Sequence, residues 1–265
     1  MQPDWSELEA TVRDAEELGV VGVSVAGPDG ATWSHNGTRA FKAASTVKIP
    51  LMVEVLRGVE RGEWTLADRQ SVSASDKTQG SGVLLHLHDG IGVTLADLLY
   101  LTISISDNTA TNLLIRLAGT PAVNATMREL GMHGSNLGRE MKGRPAAPGE
   151  TENLATPDDY LLVTQAILEQ RAASASACDA MVALLEQQQN TRRIARFLPE
   201  DGSVRWGSKT GSISGVTNDV GFVCGPGGTL VIAVFCEGFP DQHAGEQTIG
   251  EISRAALRAT GVAAI

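Results

Sequence analysis

Three short clusters in this chain combine residue types that can do nucleophilic chemistry. Ser45-Thr46-Val47-Lys48 sets a hydroxyl and an amine three residues apart. On a helix the two side chains share one face, a turn apart. A helix N-terminus there favours negative charge developing on the serine oxygen. An ammonium that is desolvated, or crowded by a second cation, gives up its proton and serves as a base toward Ser45. Lys209, in Lys209-Thr210-Gly211, is a candidate for that second cation. Thr210-Gly211-Ser212 reads as an edge strand on which Gly211 lets a ligand approach the backbone. Ser106-Asp107-Asn108 supplies a further hydroxyl and an amide just ahead of a helical segment. Taken singly, each cluster has a plain reading: Ser45 as an N-cap, Ser106-Asp107-Asn108 as caps, Lys209 as a solvated lysine at a strand end. Ser-x-x-Lys alone arises by chance about once in a chain of this length, but all three clusters in this order arise in about one chain in a thousand.

The surrounding pattern says what must hold them. Residues 4–18 read as an amphipathic helix, with Leu8, Val12 and Ala15 on one face. Val20 to Val25 is a β-branched run, turned at Pro28-Asp29-Gly30 and paired back by residues 31–36. A helix follows from about Ser45 with Ile49, Met52, Leu56 and Val59 on its apolar face; Pro50 is tolerable only near its first turn. Helices are predicted at 94–103, 107–118, 121–131, 157–170, 176–188 and 243–260. The stretch 134–152 has no apolar period and reads as a long loop. Residues 219–224 and 229–237 flank Gly225-Pro226-Gly227-Gly228, a hairpin signal. Strands at both ends with helices between them imply an antiparallel sheet with terminal helices packed on it (residues 1–43 and 190–265) and an all-helical lobe (44–189). The cleft between them is the expected site.

Composition narrows the partners. The 265 residues allow one large domain or two interleaved lobes on a prior of roughly 100–200 per domain. The formal charge is −10, which disfavours nucleic acid and anionic membranes. No apolar run approaches the ~18 residues of a membrane span. Aromatics are 4%, too few for a base-stacking or sugar-stacking platform. The three cysteines, Cys178, Cys224 and Cys236, lack the spacing of a disulfide framework or zinc site. His35, His86, His88, His133 and His243 show no metal-ligand spacing with acids and receive no role. No metal or organic cofactor is implied. Met1 to Ala10 carries three acids and no basic stretch ahead of an apolar one. It is not a signal peptide, so the chain reads as cytoplasmic as written, or as an exported protein whose leader has been removed.

With their flanks, Ala43 to Lys48, Ile105 to Leu114, and Lys209 to Ser212 followed by Thr217-Asn218-Asp219 resemble segments of class A β-lactamases. The resemblance runs from about Val21 to the C-terminus. It implies the fold of the penicillin-recognising serine enzymes: an α+β (α/β) architecture with a five-stranded antiparallel sheet, flanking terminal helices and a helical lobe. It implies roles as well. Ser45 is the acylated nucleophile, Lys48 a proton acceptor, and Ser106 a shuttle to the leaving nitrogen. Asn108 binds the substrate amide. Lys209 and Thr210, with Ser212 beside Gly211, hold the substrate carboxylate. The backbone N–H groups of Ser45 and Ser212 form the oxyanion hole. The substrate implied is a small β-lactam or related amide or ester bearing a carboxylate, and a monomer is expected. Whether an arginine joins Lys209 is left open.

The chain departs from the family at the loop. Class A enzymes carry E-x-x-L-N there, its glutamate activating the deacylating water. Here the matching position, counted back from Thr156-Pro157, is Glu140, followed by Met141-Lys142-Gly143-Arg144. Arg144 is expected to pair with Glu140, and Glu150 and Glu152 are alternative acids. Arg139-Glu140-Met141, Gly80-Ser81-Gly82-Val83-Leu84 and Arg193-Ile194 ahead of Leu198-Pro199 resemble a divergent branch of class A-like serine hydrolases. The departure touches deacylation rather than acylation. Three functions follow: a serine β-lactamase-like hydrolase; a penicillin-binding-type D-Ala-D-Ala peptidase or esterase with slow deacylation; or a β-lactam-binding sensor without turnover.

Overall fold

The computed structural model describes residues 3–265, so Met1 and Gln2 of the acidic N-terminal segment lie outside the described residues. The opening amphipathic segment forms α1 (Ser6–Ala15), which buries Leu8, Val12 and Ala15. β1 (Val20–Ala26) and β2 (Thr32–His35) follow, joined through the 3-10 turn Pro28–Gly30. After the two-residue β3 (Phe41–Lys42), a 3-10 turn Ala44–Val47 leads into α2 (Lys48–Glu60). The short β4 (Arg69–Val72) and β5 (Ile91–Thr94) pair with each other. Helices α3 (Leu95–Ile103), α4 (Asn108–Ala118) and α5 (Thr120–Glu129) come next. β6 (Leu154–Ala155) pairs with β3 after a long loop, and α6 (Pro157–Leu168) and α7 (Ala175–Glu186) complete the helical part. The chain ends with β7 (Arg205–Ile213), β8 (Val216–Gly225), β9 (Gly228–Glu237) and α8 (Gln242–Thr260).

The main sheet has five strands in the order β2-β1-β9-β8-β7, each pairing antiparallel. The two chain ends therefore meet in one sheet, as the sequence pattern predicts. Side chains alternate across the strands. Val21, Val23, Val25, Ile232 and Val234 face α1 and α8. Val220, Phe222, Val231, Ala233 and Phe235 face the helical side and join its core. With both faces covered, the sheet presents a free backbone edge at β7, which carries Lys209-Thr210-Gly211-Ser212.

Two expectations are refined. The helix predicted from Ser45 starts as a 3-10 turn and becomes α-helical at Lys48, so Pro50 sits in the first α-turn, where its missing N–H costs no bond. α2 is also buried all round, taking in Leu51, Val53 and Val55 besides the predicted face. It is the central helix of its core, not a surface helix with one apolar stripe.

Candidate active site

Ser45 lies in the 3-10 turn, immediately after Ala44, whose φ is +48°. Ser106 has φ +61° and lies just ahead of α4. Non-glycine residues in this left-handed region cost about 1–3 kcal/mol and persist where the surroundings over-determine them. Around Ser106 that determination is visible. Asp107 is the N-cap of α4, its Oδ1 accepting from Ala110 N at 2.9 Å. Its Oδ2 accepts from Val83 N (2.6 Å) and Leu84 N (2.8 Å), which fixes the 79–84 segment against the site. Ser81 Oγ donates to Ser106 O at 2.6 Å. Ser45 as a whole is only 7% accessible. Its turn is enclosed by α2 below and β7 beside it.

β7 comes close because of Gly211. A Cβ at that position would lie 2.9 Å from Ala43 O and 3.2 Å from Ser45 N. Any side chain would push the strand off the serine turn. This approach sets the backbone N–H of Ser45 beside the β7 segment that continues into Ser212.

Lys48 is fully buried. Its Nζ donates to Ser106 O (2.9 Å), Ser106 Oγ (3.1 Å) and Asn108 Oδ1 (3.1 Å). Burial, reinforced by the positive charge of Lys209, pulls the Lys48 ammonium well below its ordinary range, with Asp107 opposing. An amine poised to be neutral, bonded to a serine hydroxyl, can accept and pass on a proton. Asn108 Nδ2 donates one hydrogen to Gln79 O at 3.0 Å, and the amide has a second hydrogen to offer a ligand carbonyl.

Lys209 is also buried, its Nζ donating to Thr210 O at 2.9 Å. Desolvation brings it down to about 7, with Asp219 opposing and Arg193 adding to the fall. Asp219, on β8, is pushed up to about 6 by burial, against the positive charges of Arg193 and Lys209 and a hydrogen bond from the Ile194 amide. Lys209 therefore loses its charge as pH rises through about 7. Capture of a carboxylate substrate is expected to weaken over that interval, seen as a rising KM for anionic substrates. In Lys209→Arg, whose guanidinium stays charged, the KM profile should be flat across the same range.

Arg193 lies beside this strand edge. It is 1% accessible. Nη2 donates to Ser212 Oγ at 2.6 Å and to Glu246 at 3.2 Å, and Nη1 to Asn218 O (2.6 Å) and Gly211 O (3.1 Å). A buried guanidinium thus lies directly behind the Gly211-Ser212 backbone. Its neighbour Arg192 points outward and pairs with the other oxygen of Glu246 at 3.2 Å. Two adjacent arginines with opposite burial carry no sequence signal that separates them. The cleft, about 450 Å³, opens between Ser104–Ser106 and Thr210 and is walled by residues 188–192. Among the described residues no three His, Cys, Asp or Glu side chains converge as a metal site requires.

The loop acids are placed differently from the reading above. Glu140 does not pair with Arg144. Arg116 of α4 takes both its oxygens, Nε to Oε1 at 2.8 Å and Nη2 to Oε2 at 2.9 Å. Arg144 binds Glu150 instead (2.7 Å), together with Lys142 (2.5 Å). Glu152 binds Arg139 at 2.9 Å. The residue drawn inward is Met141, 6% accessible. Asn112 of α4 clasps its backbone, Oδ1 accepting from Met141 N (2.7 Å) and Nδ2 donating to Met141 O (3.0 Å).

A buried lysine bonded to a serine and an asparagine, next to the Ser45 turn and a cationic strand edge, is an arrangement suited to a serine hydrolase. A family profile described as the Beta-lactamase enzyme family matches residues 5–260. The chain belongs to the β-lactamase enzyme family. It resembles the β-lactamase of Sphaerobacter thermophilus, with 62% identity, a TM-score of 0.97, and coverage of 99% of this chain and 100% of that one. The β-lactamase AST-1 of Nocardia asteroides is 30% identical over 265 residues, covering 98% of this chain and 83% of its own length. PBP-A, 24% identical with a TM-score of 0.85 over 96% of this chain and 95% of its own, shares the fold.

Proposed function

We propose that this chain, acting as a monomer, opens the amide of β-lactams that carry a carboxylate, with Ser45 as the nucleophile. The observation that carries the reading is the bonding of Lys48: a buried amine with depressed basicity, one helical turn on from Ser45, joins Ser106, just ahead of α4, and Asn108, its first residue. The Ser45 proton passes toward Lys48 as its oxygen attacks the amide carbonyl. The Ser45 backbone N–H, brought against β7 at Gly211, and that of Ser212 receive the oxyanion. Ser106 returns a proton to the leaving nitrogen, and Asn108 Nδ2 holds the substrate's side-chain amide. Lys209, Thr210 and Ser212, with Arg193 behind them, hold the carboxylate.

The test is intact-protein mass spectrometry with a penicillin, alongside turnover of a chromogenic cephalosporin. The parent should gain the mass of one penicillin. Ser45→Ala should gain none and lose about 10³-fold or more in turnover, the scale of loss when a nucleophile is removed. Labelling of the alanine variant at the parent's rate would overturn the assignment.

A further inference from the structure

One wall of the cleft is made of chain that is neither helix nor strand. Residues 188–192 follow α7, and their own side chains hold the backbone in place. Gln188 Oε1 accepts from Gln189 N (2.9 Å) and Asn190 N (3.0 Å), and Asn190 Oδ1 accepts from Arg192 N (2.9 Å). Gln188 Nε2 donates to Ser208 O at 3.2 Å, which pins the wall to β7. Arg192 O accepts from Arg196 Nη1 at 3.3 Å, so the Arg192 backbone is fixed at both ends. Of the residues lining the cleft, Arg192 alone carries a formal charge.

Glu246 of α8 touches both adjacent arginines and shows how they differ. The buried Arg193 has its fork filled: Nη1 donates to Gly211 O and Asn218 O, and Nη2 to Ser212 Oγ and Glu246 Oε1. Each Nη carries two hydrogens, so neither has one left for a ligand. Arg193 therefore acts on the strand edge through its charge and through Ser212. The Arg192 side chain is 65% exposed. Its Nε lies 3.2 Å from Glu246 Oε2, and its two Nη groups take no hydrogen-bond partner among the described residues. A planar guanidinium anchored at one edge can offer the other to a second anion.

The proposed pose puts the lactam nitrogen at Ser106 and the ring carboxylate at Lys209, Thr210 and Ser212. In a cephalosporin, the ring carbon next to the carboxylate-bearing carbon carries a variable substituent. With the lactam carbonyl at Ser45, that substituent leaves the site on the side of Thr210 and residues 188–192. We propose that Arg192 forms a subsite for a negatively charged substituent at this position, favouring β-lactams with a second anion there and disfavouring those with a cation. The inference rests on acylation of Ser45 and on the carboxylate lying along β7. The formal charge of −10 repels a dianion in general, and a cation at the cleft mouth offsets that locally. Because the guanidinium is exposed, its effect is moderate and screened by salt.

Three cephalosporins that share one acyl side chain, with an anionic, a neutral or a cationic group on that carbon, test this. Each is compared with itself across variants, so that its intrinsic reactivity cancels. Arg192→Ala should lower kcat/KM for the anionic member by about 5-fold relative to the neutral one, and raise that of the cationic member by about the same factor. Arg192→Lys should keep most of the parent's spread, and Arg192→Glu should shift it past Arg192→Ala in the same direction. Added salt should narrow the spread more in the parent than in Arg192→Ala. An identical spread in the parent and Arg192→Ala would overturn the proposal. So would a uniform fall for all three substrates, which marks a structural role for the wall. Neither adduct nor product from any of the three in the parent would instead sink the Ser45 reading, and the inference with it.

Discussion

Lys48→Met is expected to slow acylation by about 10²–10⁴-fold, the usual contribution of a positioned base, while leaving the protein folded. The two halves of this expectation have separate causes. The lysine is fully buried, and its charged form is disfavoured by desolvation and by Lys209. Replacing it with an apolar chain of similar length removes that cost. What is lost is a donor to Asn108 Oδ1 and Ser106 O; the latter keeps Ser81 Oγ at 2.6 Å. An unsatisfied buried acceptor costs about 1–3 kcal/mol, so a modest drop in melting temperature is compatible with a native fold. The pH dependence identifies the role. A lysine acting as base works when neutral, so the parent's acylation rate should rise with pH through the depressed Lys48 ionisation and then level off. The methionine variant should lack that rise. If Lys48→Met acylates at the parental rate, Lys48 is not the proton acceptor.

Much of the scaffold is legible in the sequence because its elements obey one rule at a time. β1 and β9 are β-branched runs covered on both faces, and the Gly225 to Gly228 signal marks their neighbouring hairpin. Pro50 fixes where the α2 helix can begin, and the three chemical clusters lie at element starts or on an edge strand. The reading thins where function breaks the pattern. β8 begins at Val216, three residues earlier than the apolar run suggests, because Thr217, Asn218 and Asp219 are polar yet buried behind the site. β3 with β6 and β4 with β5 are pairs of strands too short to show alternation. Polar residues in a buried strand are what a site built into a sheet edge produces.

The loop acids show a second limit. Local spacing suggests Arg144 as the partner of Glu140, six residues away from the nearer competitor Glu150 and four from Glu140 itself. The structure chooses Arg116, twenty-four residues upstream, because α4 runs beneath the loop and places Asn112 and Arg116 on the face it covers. Which of Glu140 and Met141 turns inward is decided by that helix, and no pattern within the loop contains the information.

Arg193→Ala is expected to produce the largest combined loss, in stability and in recognition of anionic substrates. The guanidinium satisfies Gly211 O and Asn218 O and pairs with the buried Glu246. Removing it leaves two carbonyls without this donor and leaves Glu246 with Arg192, which is largely solvated, and Gln242. Breaking a buried pair by deleting one partner costs about 3–5 kcal/mol. At roughly 2–4 °C per kcal/mol for a chain of this size, the melting temperature should fall by about 10 °C. The loss also releases Ser212 Oγ, now held at 2.6 Å, and removes a positive charge from behind the Gly211-Ser212 edge. Acylation by a β-lactam bearing a free carboxylate should therefore suffer through KM far more than acylation by its neutral methyl ester. Arg193→Lys separates the two effects. Its single ammonium restores charge but cannot span Gly211 O, Asn218 O, Ser212 and Glu246 at once, because a planar fork is needed to reach them together. It should recover part of the preference for the free carboxylate while remaining less stable than the parent. Equal losses for the acid and its ester in Arg193→Ala would show that the arginine does not act on the carboxylate through β7.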